Sequence, residues 1–136
     1  MSPVKLIRLA KEAMQQAYAP YSGFKVGAAL LTASGKVYQG CNIENAAYSP
    51  SNCAERTAFF KAVYAGERDF AAIAVVGGKN GLVGDIFPPC GVCRQVMQEF
   101  CGPDFLIHMG RSDDSYVTMR LDELLPYGFN AKEYMK

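Results

Sequence analysis

Phe70-Ala71-Ala72-Ile73-Ala74-Val75-Val76, then the Gly/Pro-rich connection from Gly77 to Pro89, then Cys90-Gly91-Val92-Cys93 and the run on to Phe100, is the passage that decides the fold. The first part is apolar at every position, which reads as a strand buried on both faces. The connection is turn-forming. A helix is predicted from near Cys90 to about Phe100. A buried strand leading into a helix is half of a crossover unit, and the apolar run Phe105 to Met109 supplies the strand that completes it. Upstream, a second helix is predicted from about Cys53 to Val63, behind a polar Asn/Ser/Pro-bearing loop at 42–51. Before that loop, Val26 to Ala33 and Lys36 to Cys41 form a hairpin about Ser34-Gly35. Ser2-Pro3 reads as an N-cap followed by proline at the first helical position, ahead of the periodic apolar residues Val4, Ile7, Ala10, Met14 and Ala17. Tyr116 to Met119 is a further short strand. Leu121 to Leu125 is a helical turn before an irregular tail. Helices alternating with strands predict a three-layer α/β domain, and a hairpin followed by two crossovers predicts a mixed sheet.

At 136 residues a single domain spanning 1–136 is expected. A chain of this size can bury a core without disulfide staples. The formal charge of +1 lacks the basic excess of a nucleic-acid binder, and no apolar run approaches the roughly 20 residues that cross a bilayer. No apolar leader follows Met1. The cysteines at 41, 53, 90, 93 and 101 are odd in number, which favours metal binding or buried thiols over a disulfide framework and makes the cytoplasm the expected location.

Cys53-Ala54-Glu55 and Pro89-Cys90-Gly91-Val92-Cys93 both fall where a loop enters a helix. Free N–H groups and the helix dipole stabilise thiolate at such positions. Cys90 and Cys93 lie one helical turn apart and so share a face. With Cys53 they would make three ligands for zinc, leaving a fourth position open to water, as in catalytic zinc sites. Glu55 is then free to move protons. Three thiolates around zinc carry a net negative charge, and Arg56 is the candidate to offset it. Other readings remain open. Asn52-x-x-Glu55 is also a capping-box pattern. A lone C-x-x-C also fits a redox pair or half of a structural zinc site. Cys41, Cys101 and His108 are the remaining Cys and His residues, and His108, in an apolar strand, reads as a core residue.

The chain resembles the small tri-cysteine, homotetrameric bacterial cytidine deaminases. The resemblance runs from about Tyr21 to Phe129. It rests on Tyr21-Ser22-Gly23-Phe24-Lys25-Val26-Gly27-Ala28, Cys41-Asn42-Ile43-Glu44-Asn45-Ala46, Asn52-Cys53-Ala54-Glu55-Arg56-Thr57-Ala58 and Pro88-Pro89-Cys90-Gly91-Val92-Cys93-Arg94-Gln95. A C-x-E followed by P-C-x-x-C is the metal signature of zinc deaminases at large; Asn42-x-Glu44 points to a nucleoside. The resemblance implies a five-stranded mixed sheet flanked by helices, one zinc ion per subunit, and deamination of cytidine and 2′-deoxycytidine in pyrimidine salvage. It implies that Asn42 and Glu44 meet the ribose hydroxyls and that Phe24 walls the nucleoside. The backbone at Ala54 and the Glu55 carboxylate would address the pyrimidine edge. Tyr48 and Phe129 would reach the pocket of a neighbouring subunit in a homotetramer. From the residues themselves, Gln95 is the expected outer donor to the zinc sulfurs, and Arg94 reads equally as such a donor or as a surface residue. Rival readings are a deaminase of another cytosine-bearing nucleoside or antibiotic, a polynucleotide-editing deaminase, and a non-catalytic zinc-stabilised domain.

Overall fold

A computed structural model of the chain describes residues 1–131 and 135. The elements run α1 (Pro3–Met14), β1 (Phe24–Thr32), β2 (Val37–Cys41), α2 (Ala54–Tyr64), β3 (Phe70–Lys79), α3 (Gly91–Phe100), β4 (Leu106–Gly110), β5 (Tyr116–Arg120) and α4 (Leu121–Leu124). One five-stranded sheet has the order β2-β1-β3-β4-β5. β1 is antiparallel to both β2 and β3, β3 is parallel to β4, and β4 is antiparallel to β5. β2 and β3 therefore point the same way on either side of β1. α2 crosses over between them, and α3 crosses over between β3 and β4, as the alternation of elements predicts. Of the expected domain 1–136, residues 132–134 and 136 of the tail lie outside the described residues.

α1 begins on the expected cap: the Ser2 hydroxyl accepts the Lys5 N–H at 3.2 Å. Its apolar stripe, Leu6, Ile7, Ala10 and Met14, packs on Ala29, Ala72, Ala74 and Val76. Because side chains alternate across a strand, the neighbouring residues Ala28, Leu30, Ile73 and Val75 face the other way. They meet Ala54, Ala58 and Phe59 of α2 and Met97 of α3. The sheet thus carries a core on each face, which is why β3 is apolar at successive positions. Two glycines bring backbone to backbone. A Cβ on Gly27 would lie 2.0 Å from the Ala10 carbonyl, and one on Gly40 2.4 Å from the Ala54 carbonyl. α1 is seated on β1, and the start of α2 on β2, as closely as a main chain allows.

The structure departs from two sequence expectations here. β3 continues past Val76 because Gly77, Gly78 and Lys79 pair with Val26, Lys25 and Phe24; a paired neighbour overrides the low strand preference of glycine. The capping box at Asn52 does not form. Cys53 is the N-cap of α2, and the Asn52 amide donates instead to the Thr57 hydroxyl at 3.2 Å.

Candidate active site

Cys53 and Cys90 are the N-cap residues of α2 and α3, each in extended backbone that gives way to helix at the next residue. Both helices lie on the same face of the sheet, so the two caps converge. The Sγ atoms of Cys53 and Cys90 are 3.7 Å apart and those of Cys90 and Cys93 are 3.5 Å apart; all three lie within 4.8 Å of one another. A tetrahedron with metal–sulfur bonds of about 2.3 Å has edges of about 3.8 Å, so the group fits zinc as it stands. Cys93 is buried, Cys53 half-buried and Cys90 exposed, which leaves one side dry and one open. Cys41, Cys101 and His108 take no part in the group. His108 is buried in β4 with its Nδ1 2.7 Å from the Thr118 hydroxyl.

The electrostatics favour thiolate at Cys53. Arg56 Nη2 donates to Cys53 Sγ at 3.1 Å. Burial disfavours the Arg56 charge, but hydrogen bonds to the Cys53 and Cys93 sulfurs outweigh it and hold the pKa above its ordinary value. Arg56 Nε is buried with no hydrogen-bond partner. The Cys53 thiol is brought down to about 5, first by a hydrogen bond from Cys93 and then, against burial, by Arg56. Cys93 moves up, as the proton holder of that pair and because it is buried. A bound cation would replace the shared proton.

Glu55, in the first turn of α2, is only 4% exposed. Burial pushes its carboxyl up to about 7, and it interacts with both Cys53 and Cys93. A bound cation would pull that value down again. A cleft of about 320 Å³ opens beside this group; Phe24, Asn42, Glu44, Ala54, Glu55 and Phe87 line it together with Cys53 and Cys90. A second hollow of about 220 Å³, between α1, β2 and α2, contains none of the sulfur ligands.

Asn42 and Glu44 both line the cleft and both hold backbone. Asn42 accepts the Val26 N–H at 2.9 Å and donates to the Phe24 carbonyl at 2.7 Å, bracketing the entry of β1. Glu44 Oε1 accepts the N–H groups of Tyr21 and Ser22, each at 3.0 Å, and Oε2 accepts the Ser22 hydroxyl. The Ser22 hydroxyl and those backbone donors hold its carboxyl below the usual range. Each side chain thus fastens backbone while it lines the cleft. A carboxylate has about four acceptor sites, so three bonds leave room for another.

Phe24 is 43% exposed, and its ring centroid lies 6.3 Å from that of Phe87; the two rings form one apolar wall. Phe87 was not singled out from the sequence, although an aromatic directly before Pro88-Pro89-Cys90 is the signal that points to it. Ser22 organises Glu44, a role its local sequence does not mark. Tyr48 sits in left-handed backbone (φ 59°) and packs edge-on against Tyr21 at 6.3 Å. Tyr48 and Phe129 are 72% and 64% exposed; Tyr48 lines a hollow with Tyr21, Ser22, Glu44 and Ser51 that adjoins the cleft, whereas Phe129 lines neither. Gln95, expected at the sulfurs, instead donates to the Phe129 carbonyl at 3.0 Å. The Arg94 guanidinium likewise goes to backbone carbonyls. Among the described residues, no helix is long and apolar enough to cross a membrane.

A three-layer α/β domain that sets three cysteine sulfurs and a buried carboxylate at two converging helix starts has the parts of a zinc-dependent hydrolytic enzyme. The chain belongs to the cytidine and deoxycytidylate deaminase zinc-binding family, whose sequence profile matches residues 2–109. It is 49% identical over 133 residues to the cytidine deaminase of Sporosarcina psychrophila, covering 98% of this chain and 95% of that one. Among solved structures it is similar to the cytidine deaminase of Burkholderia pseudomallei, with 50% identity, a TM-score of 0.87, and 95% of this chain and 100% of that one covered. It is also similar to the Mycobacterium tuberculosis cytidine deaminase, with 39% identity, a TM-score of 0.79, and 93% and 95% covered.

Proposed function

We propose that the chain hydrolyses the exocyclic C4 amine of cytidine and of 2′-deoxycytidine, giving uridine or deoxyuridine and ammonia, as a step of pyrimidine salvage. The observation that carries this reading is a buried carboxyl, Glu55, set against the three-sulfur group at one side of a cleft that Glu44 and Asn42 also line. Cys53, Cys90 and Cys93 would hold one zinc ion per subunit. When bound, zinc supplies a water acidic enough to act as a nucleophile near neutral pH. Glu55 takes a proton from the attacking water as its oxygen bonds to C4, and hands that proton to N3. It then carries the second water-derived proton to the amino nitrogen, the C4–N bond breaks, and the C4 carbonyl forms as ammonia leaves. Arg56 offsets the excess negative charge of three thiolates around a divalent ion.

Glu44, already oriented by Tyr21 and Ser22, and Asn42 would meet the ribose hydroxyls. Phe24 and Phe87 would wall the nucleoside, and the Ala54 backbone would address the pyrimidine edge beside Glu55. We place Tyr48 and Phe129 against the cleft of a neighbouring subunit in a homotetramer, a reading supported by their exposure. Thiols held as ligands rather than disulfides suit the reducing cytoplasm.

The test is ultraviolet-monitored deamination of cytidine by the purified protein, with Glu55→Gln alongside, zinc content measured in both and subunit number read by sedimentation. Expected is turnover by the wild type, with a zinc-loaded tetrameric variant losing more than the ~10²–10⁴-fold of a single acid–base role. A zinc-loaded wild type inert on cytidine would dismiss that substrate and turn attention to other cytosine-bearing nucleosides and antibiotics. A zinc ion saturated by four protein ligands with no turnover would favour a non-catalytic domain.

A further inference from the structure

We propose that Arg94 is a positioning residue that ties the loop delivering Cys90 to the end of α4, so that the metal loop and the segment from Leu121 to Phe129 are held as one unit. Arg94 lies in the first turn of α3 and is half-buried. Its Nε donates to the Pro89 carbonyl at 2.8 Å, and its Nη1 donates to the Leu124 carbonyl at 2.6 Å. One planar guanidinium thus joins a residue 5 positions before it to one 30 positions after it.

Each end of this link answers a local deficiency. Pro88 and Pro89 carry no N–H, so the segment entering Cys90 has lost the donors by which a loop is usually fastened. The Pro89 carbonyl is the handle that remains, one peptide away from the sulfur-bearing residue. Leu124 ends α4, a four-residue helix, and a helix leaves its last carbonyls without intrahelical donors. A cation at that end satisfies one of them and complements the helix dipole. Both bonds are charge-assisted. The next residue extends the same clamp, since Gln95 holds the Phe129 carbonyl at 3.0 Å. The rigid fork of arginine can serve two carbonyls in fixed directions; lysine offers a single ammonium, and glutamine a single amide. Arg94 touches neither the sulfurs nor the cleft; it acts through the Pro89 peptide.

The inference rests on Cys90 being a metal ligand, as proposed above. The experiment follows zinc release from the loaded protein to a chromophoric chelator, together with hydrogen exchange in peptides covering 86–93, 121–127 and 70–79. The proteins are wild type, Arg94→Gln, Arg94→Lys and Cys90→Ser. Arg94→Gln is expected to release zinc about 10-fold faster or more, the usual effect of losing an outer partner of a metal site. Exchange should rise in 86–93 and 121–127 together, with 70–79 unchanged. Arg94→Lys should show the same release effect at smaller amplitude, and it carries the test if Arg94→Gln does not fold. Unchanged zinc release, exchange rising in one segment alone, or exchange rising equally in 70–79 would overturn the positioning role. Cys90→Ser holding zinc as the wild type does would instead overturn the ligand reading.

Discussion

Arg56 and Glu55 are adjacent in the chain, yet the first turn of α2 gives them different work. Glu55 is buried and its carboxyl sits against the sulfur group. Arg56 directs its guanidinium onto Cys53 Sγ at 3.1 Å. A single cation against a cluster of thiolates acts mainly on charge, whereas holding the metal would fall to the three sulfurs. Arg56→Ala is therefore expected to retain most of its zinc and to lose more activity than zinc. Parallel measurements of kcat and metal content check this, and full activity at full zinc content would remove Arg56 from the reaction. The Asn52–Glu55 capping pattern shows the limit of reading single residues: the same four letters fit a cap, but the chain places the helix start one residue later, at Cys53.

At the scale of elements, the site depends on how closely α2 sits on β2. A Cβ at position 40 would meet the Ala54 carbonyl at 2.4 Å and the Ala58 nitrogen at 2.5 Å. Relief requires the start of α2 to move, and with it Cys53 and Glu55. A Cβ at position 27 would meet the Ala10 carbonyl at 2.0 Å on the opposite face, where only α1 is displaced. Overpacking of this kind costs about 1–3 kcal/mol or more. Gly27→Ala and Gly40→Ala should both lower the melting temperature, but only Gly40→Ala should also weaken zinc retention. Thermal melts paired with chelator competition separate the two; wild-type zinc affinity in Gly40→Ala would show that α2 does not transmit the shift. The crossovers and the α/β alternation were legible because each element carries its own period. The extension of β3 through Gly77 and Gly78 was not, because it is decided by a partner strand.

For the whole molecule, acid stability reports on a group outside the site. Burial lowers the pKa of His108 from its ordinary 6.5, and its Nδ1 is occupied with Thr118. The unfolded chain takes up a proton near pH 6.5, while the folded chain resists until lower pH. Below about pH 6.5 the unfolded state therefore binds more protons, and stability falls as pH falls toward the folded-state pKa. Above that pH the contribution is fully present. His108→Gln, which keeps a partner for Thr118, should flatten the decline in melting temperature between about pH 7 and pH 5. An unchanged slope would assign the acid sensitivity to other groups.

By itself the sequence determined what is written within one turn or one strand. That includes the Ser2 cap, the apolar run of β3, the three-residue spacing of Cys90 and Cys93, and the placement of both cysteine motifs at helix starts. Those features follow from backbone periods and dipoles that act over a few residues. The tertiary structure decided what depends on packing. Cys53 and Cys90, 37 positions apart, come within 3.7 Å because α2 and α3 lie on one sheet face over Ala28, Leu30, Ile73 and Val75. Phe87 meets Phe24, and Glu44 turns back onto Tyr21 and Ser22. Arg94 and Gln95 face the tail rather than the sulfurs. Where a long polar side chain ends depends on which carbonyl packing brings near it, and no local period encodes that.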